Sequence, residues 1–84
     1  MKPNNHKTTF DILLAKHGAR YVPLTEMGEY FGIQDEQQLR LLALKNQLGG
    51  IRAFKLRESR KAPYLVDLEN VADELDRKSI AARP

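Results

Sequence analysis

The sequence contains no cysteine among its 84 residues. This absence excludes a disulfide scaffold, a zinc site built on thiolates and a cysteine nucleophile. The sequence also lacks any apolar run close to the roughly 20 residues that a membrane-spanning helix needs. Residues 1–7 are polar, and no apolar signal-peptide core follows them. We therefore expect a cytoplasmic protein that has no membrane partner.

Residues that carry catalysis or bind metals are equally scarce. The sequence has two histidines, of which His6 lies in the polar N-terminal segment and His17 at the end of a predicted helix, where a cation is favoured. It contains no glycine-rich phosphate loop, no nucleophile elbow and no carboxylate pair at metal-ligand spacing. We predict that the protein is not an enzyme and uses no cofactor, metal or small-molecule substrate.

Positive charge is concentrated in one part of the chain. The net charge is +3, but residues 40–61 hold seven basic residues and one acid, a net charge of +6. Such a concentration within one small domain indicates an anionic partner. The alternative, which charge alone leaves open, is a solvated surface of lysines and arginines.

Length and hydrophobic spacing predict one domain at residues 8–78, with a flexible arm at 1–7 and a frayed tail at 79–84. Thr8 or Thr9 is expected to begin a first helix, which Gly18 ends.

A helix-turn-helix is predicted in the middle of the chain. A short extended segment is expected before a second helix, which begins at Thr25. Glycine is unfavourable inside a helix, so Gly28 indicates a close approach by another helix. Asp35 is expected to cap a third helix that runs to about Leu48. Two helices joined by a short glycine-containing turn are typical of a helix-turn-helix.

A β-hairpin is predicted after the third helix. Apolar and basic residues alternate in residues 51–57, which indicates a strand with one face on the core. A polar turn at residues 58–63 and a second strand at 64–66 complete the hairpin, and Asp67 caps a last helix. The order of helix, short strand, helix-turn-helix, hairpin and helix predicts an α+β fold of the winged helix-turn-helix class, with residues 52–66 as the wing.

The predicted hairpin gives the strongest signal for contact with double-stranded DNA. Five basic residues fall within ten positions, and arginine pairs with phosphate oxygens through its guanidinium group. A serine adds a hydroxyl donor near the turn. The expected DNA contacts are Arg52, Lys55, Arg57, Ser59, Arg60 and Lys61. The alternative is that these charges only protect an exposed strand edge from aggregation.

The third helix carries apolar residues on two sides. Leu39, Leu42 and Ala43 form one stripe, which we expect to pack on the core. A second stripe on nearly the opposite side is expected to contact the last helix, a second subunit or another protein, and it consists of Leu41, Leu44 and Leu48. Polar residues between the stripes are expected to face DNA, where glutamine reads adenine and arginine reads guanine. They are Gln37, Gln38, Arg40 and Lys45.

Two parts of the chain resemble one known family. The more specific part is residues 59–66, which read Ser-Arg-Lys-Ala-Pro-Tyr-Leu-Val. The other matching positions are Thr9-Phe10, Leu13-Leu14-Ala15, Gly18, Val22-Pro23-Leu24, Tyr30-Phe31, Leu68 and Leu75-Asp76. In this order they resemble the pyocin activator (PrtN-like) proteins. Between Leu41 and Ile51 the chain departs from the family, which has a segment with glycine and proline there.

The resemblance implies a small bacterial or prophage-encoded transcriptional activator that binds DNA upstream of bacteriocin or phage-tail genes. It places Ser59 and Lys61 in the family's most recognisable stretch and Arg40 at a basic position of its third helix.

Three functions remain open at this point. The leading hypothesis is a sequence-specific DNA-binding activator, expected to be a homodimer because one short helix reads few bases. The close alternative is an excisionase-like protein that bends DNA for a recombinase. The third is a protein-binding module, whose leucine-rich third helix docks an RNA polymerase subunit or a phage protein.

Overall fold

The computed structural model describes residues 8–82. The predicted arm at residues 1–7 and the last two residues of the predicted tail lie outside this part. In chain order the elements are α1 (Thr9–His17), β1 (Tyr21–Pro23), a 3-10 turn (Leu24–Met27), α2 (Gly28–Phe31), α3 (Glu36–Leu44), β2 (Ala53–Phe54), β3 (Leu65–Asp67) and α4 (Leu68–Ala81). Over these residues the fold is α+β, with four α-helices and a three-stranded antiparallel sheet. This arrangement is compatible with a winged helix-turn-helix.

The first helix begins and ends at residues that the sequence indicates. The Thr8 hydroxyl accepts a hydrogen bond from the Asp11 amide at 3.0 Å, and the Asp11 carboxylate accepts one from the Thr8 amide at 3.3 Å. This reciprocal capping box satisfies two amides that have no partner within the helix. Gly18 follows the helix with a φ of 82°, and its amide donates to the Leu14 carbonyl at 2.8 Å. Both predicted ends of α1 are therefore confirmed.

The second helical segment begins differently from the prediction. The chain enters a 3-10 turn directly after Pro23, and α2 follows at Gly28. Thr25 lies inside the turn, and no side chain caps either segment, so the prediction that Thr25 begins the helix is wrong. The physical reason is tertiary: Leu24 and Met27 are almost completely buried, and their packing fixes the turn.

Gly28 brings α2 close to α3. A Cβ atom at this position would overlap the carbonyl oxygen of Ile33 and would lie 3.6 Å from Cδ1 of Leu39 in α3. The Ile33 amide donates to the Gly28 carbonyl at 2.9 Å and closes the turn between the two helices. The predicted close approach is present, although its nearest group is the backbone of the turn rather than the neighbouring helix.

The third helix is shorter than expected. Asp35 caps it as predicted, accepting a hydrogen bond from the Gln37 amide at 2.9 Å. The helix ends at Leu44 because Asn46 adopts a left-handed conformation, with a φ of 56°. The Gln47 amide then donates to the Leu42 carbonyl at 2.8 Å, in the pattern of a Schellman motif. The prediction that α3 runs to about Leu48 is therefore wrong.

The sheet has β3 as its central strand, paired antiparallel with β1 and β2. Val66 lies between Val22 and Ala53, and both valines are buried, so this row faces the core. Neighbouring residues in a strand face opposite sides. Phe54 consequently faces away from the core and is 37% exposed. The strand predicted for residues 51–57 is shorter in the structure, where β2 contains only Ala53 and Phe54.

The core is assembled from every part of the chain between α1 and α4. Its buried members are Leu13, Val22, Leu24, Met27, Leu39, Leu48, Ile51, Val66, Leu68, Val71 and Ala72. The Asp67 side chain caps α4 as predicted, accepting a hydrogen bond from the Glu69 amide at 2.9 Å. The helix continues to Ala81, three residues past the domain end expected at residue 78. Among the described residues, no helix is long and apolar enough to cross a membrane.

Candidate nucleic-acid interface

One exposed face of α3 carries both residue sets that the sequence separated. Gln37 and Leu41 are four residues apart and Leu41 and Leu44 three apart, so their side chains are neighbours on the helix surface. All three side chains are exposed, and the exposed fraction is 49% for Leu41 and 71% for Leu44. Leu39 lies on the opposite side and is buried. The predicted DNA-facing residues and the predicted leucine stripe therefore share one surface.

Leu48 does not belong to this surface. It is only 3% exposed and lies in the core together with Val71 of α4. The left-handed turn at Asn46 directs the chain inward before Leu48, so the helical wheel does not apply to it. The expected packing against the last helix is therefore present for Leu48, whereas a side chain buried in this way offers no surface to a second subunit or another protein.

The hairpin formed by β2 and β3 has two chemically different faces. On the side near α3, the Lys55 ammonium lies 4.8 Å from the centre of the Tyr64 ring and donates to the Ser59 carbonyl at 2.9 Å. The other side carries Phe54 and also Leu56, which is 82% exposed. The expected packing of this segment's apolar residues on the core therefore fails at these two positions. Because Ala53 and Phe54 are consecutive, they cannot both face inward.

A hydrogen bond joins α3 to the hairpin loop. The Arg40 guanidinium donates through Nη2 to the carbonyl oxygen of Arg60. Within the loop, the Ser59 hydroxyl accepts a hydrogen bond from the Lys61 amide at 3.2 Å and is half-buried. Arg40 thus holds the loop against the helix, and Ser59 shapes the turn.

An open groove of about 420 Å³ lies between α3 and the hairpin; we call it the α3–hairpin groove. Both elements supply its walls, which are Arg40, Leu41, Leu44, Lys55, Arg60 and Tyr64. A continuation of the groove along the loop adds Arg57, Glu58 and Ser59. Four cations and one acid therefore line the combined surface. Tyr64 is not among the contacts expected from the sequence, although it lies two residues before Val66 and therefore on the same side of the strand.

Several predicted residues lie outside the groove. The Arg52 amide donates to the Asn70 side chain in α4 at 2.8 Å, at the opposite end of β2 from the loop. Lys61 lines a separate depression beside the start of α3, together with Glu36 and Arg40. The remaining predicted DNA contacts on α3 are exposed but are not part of the groove wall, and they are Gln37, Gln38 and Lys45.

The ion pairs of residues 8–82 all lie away from the groove. Lys16 pairs with Glu29 at 2.7 Å, and His17 lies 2.9 Å from Glu26, which is consistent with a structural role for this histidine. Arg20 pairs with Asp67 through two hydrogen bonds of 3.1 Å. This guanidinium holds the pKa of the Asp67 carboxyl below its ordinary value.

The groove cations, in contrast, have no carboxylate within 4 Å in the described part of the chain. Their charge is therefore available to an external anion. In the same part of the chain, no group of three or more histidine, cysteine or acidic residues is placed to hold a metal ion.

A family model described as pyocin activator protein PrtN matches residues 9–82. The chain belongs to the pyocin activator family. The resemblance seen in the sequence is thereby confirmed, and membership indicates a regulator of pyocin genes. No curated protein and no solved structure gives a significant match to the chain.

Proposed function

We propose that the protein is a DNA-binding transcriptional activator of bacteriocin or phage genes. In this proposal α2 and α3 form the helix-turn-helix, and the hairpin of residues 52–66 is the wing of a winged fold. The observation that carries the proposal is the α3–hairpin groove, because its cations have no carboxylate partner among residues 8–82.

The dimensions of α3 suit the major groove of B-DNA. An α-helix with its side chains is about 10–12 Å across, which fits the ~12 Å width of the major groove, and the nine residues of α3 extend about 13.5 Å along the helix axis. In helix-turn-helix proteins the first residues of the second helix contact base edges. Gln37 and Gln38 lie in the first turn of α3 and are exposed, and a glutamine amide can bond adenine in two places.

The distribution of charge orients the molecule on DNA. Arg57 and Arg60 are exposed on the hairpin loop, where their guanidinium groups can reach phosphate oxygens beside the major groove. The exposed side of α4 instead carries acids, including Glu69 and Asp73. DNA would therefore approach from the side of α3 and the hairpin and not from that of α4.

A salt titration with a charge-matched control tests this proposal. The affinity of the protein for a labelled mixed-sequence duplex is measured by fluorescence anisotropy at increasing salt. The double variant Arg60→Ala, Lys61→Ala is compared with Lys16→Ala, Lys78→Ala, which also loses two positive charges but on α1 and α4. Each phosphate contact contributes about −0.9 to the slope of log K against log salt.

We expect the loop variant to bind more weakly to all sequences and to show a flatter slope, whereas the control stays close to the wild type. Equal losses in the two variants would mean that only net charge matters and would refute the placement of DNA at the loop. Undetectable DNA binding at low salt would refute the proposed function altogether. A strong bend in the bound duplex would support the excisionase-like alternative.

The oligomeric state belongs to the same proposal. One nine-residue helix reads few bases, so we expect two copies to bind two half-sites. Sedimentation of the DNA complex gives the stoichiometry directly. One copy per selected site would refute the dimer and leave DNA binding intact.

A further inference from the structure

Two exposed leucines interrupt the positive charge of the α3–hairpin groove. Leu41 is 49% exposed and Leu44 is 71% exposed, and both line the groove with Arg40 and Lys55. A single exposed leucine is common on protein surfaces. Here two of them are neighbours on the exposed face of the helix that the proposed function places on DNA. Neither contributes to the core, so the fold itself does not require them.

The charges around the leucines identify the class of surface that covers them. The groove wall contributes Arg40, Lys55 and Arg60, which favour a strongly anionic partner. The partner must also offer an apolar group within reach of the helix. In the major groove of DNA the 5-methyl group of thymine is such a group, and it lies between two phosphate backbones.

We propose that Leu41 and Leu44 contact the 5-methyl groups of thymines in the major groove, and that they make the protein prefer thymine at the positions they face. This inference rests on the proposed DNA binding. The two leucines are three residues apart, a rise of about 4.5 Å along the helix. Base pairs are about 3.4 Å apart, so the two leucines face either the single methyl group of one A·T pair or the methyl groups of two neighbouring pairs.

Removing the methyl group from DNA isolates this contact. A preferred site is first selected from a random duplex library. Each thymine in the site is then replaced in turn by deoxyuridine, which lacks only the methyl group, and the dissociation constant is measured by anisotropy. For the wild type we expect one or two positions at which the replacement weakens binding by about fourfold, the effect of losing one buried methyl-sized group.

The same duplexes are then bound by Leu41→Ala and Leu44→Ala. Each variant should weaken or abolish the methyl effect at the position that its leucine faces, so that the affinities for thymine and deoxyuridine become more nearly equal there. Leu56→Ala is the matched control, because Leu56 is 82% exposed but lies on the face of the hairpin turned away from the groove. This control should keep the full methyl effect. Exposure of all three side chains keeps the substitutions from disturbing the fold.

The outcomes separate this inference from the proposed function. If the protein binds DNA with a steep salt dependence but no thymine shows a methyl effect, the inference is wrong and DNA binding stands. The inference also fails if the methyl effect persists in both leucine variants. If these variants instead dissociate a dimer without changing the methyl effect, the leucines form a subunit contact. If no DNA binds at low salt, the proposed function is wrong, and this inference is wrong as well because it rests on DNA binding.

Discussion

Replacing Leu48 and Leu44 by alanine should have very different effects on stability. If the helix continued past Leu44, both leucines would lie on one exposed stripe. In the structure Leu48 is only 3% exposed, whereas Leu44 is 71% exposed. Removing a buried leucine side chain costs about 2–5 kcal/mol, because apolar contacts are lost and a cavity remains. An exposed substitution of this kind stays within about 0.5 kcal/mol. We therefore expect Leu48→Ala to be the damaging variant.

The size of this difference makes it easy to measure. A chain of 84 residues has a free energy of unfolding of about 4–13 kcal/mol. A loss of about 3 kcal/mol would lower the Tm by roughly 12–24 °C, at 4–8 °C per kcal/mol for a domain of this size. Thermal and urea unfolding followed by circular dichroism give both quantities. Equal stability losses in Leu44→Ala and Leu48→Ala would show that α3 does not end at Leu44.

Two further predictions concern a glycine and an ion pair. Gly28→Ala should cost about 1–3 kcal/mol, because the new methyl group meets the backbone carbonyl of Ile33. Gly50→Ala should cost less, since the new methyl group meets the carboxylate end of the Glu74 side chain, which can move together with its partner Arg77, rather than backbone. A reversed order of the two losses in urea unfolding would contradict this packing. Asp67→Asn keeps an N-cap but removes the charge that pairs with Arg20. Because the pKa of Asp67 is lowered in the fold, its charge adds stability above about pH 4, the ordinary aspartate value, and that stability is lost as the pH falls through the lower folded value. The variant's deficit in unfolding free energy should therefore shrink on acidification, and a deficit that stays constant from pH 7 to pH 2 would exclude the charge as its cause.

Short-range signals in the sequence specify much of this fold. Thr8, Asp35 and Asp67 each cap a helix as expected, because a capping side chain bonds amides only two or three residues away. Gly18 ends α1 for a similarly local reason, a backbone conformation that glycine adopts without strain. The order of the elements and the concentration of positive charge follow from the sequence as well.

The candidate interface depended on contacts between distant residues. The pairing of β2 with β3, which lies eleven or more residues later in the chain, decides whether Ala53 or Phe54 faces the core. Arg40 reaches Arg60 across twenty residues and thereby makes α3 and the hairpin loop two walls of one groove. The spacing of residues within either segment does not predict that the two segments meet in the fold.

The sequence by itself therefore determined the family, the main helix starts and the segment that carries the charge. Each of these depends on residue identity or on neighbours a few positions away. The tertiary structure decided that Leu48 is buried while Leu41 and Leu44 remain exposed beside the cations. The physical reason is that α3 ends at Leu44 and Asn46 then turns the chain through a left-handed conformation, so the three leucines of one predicted stripe do not remain on a single helix face.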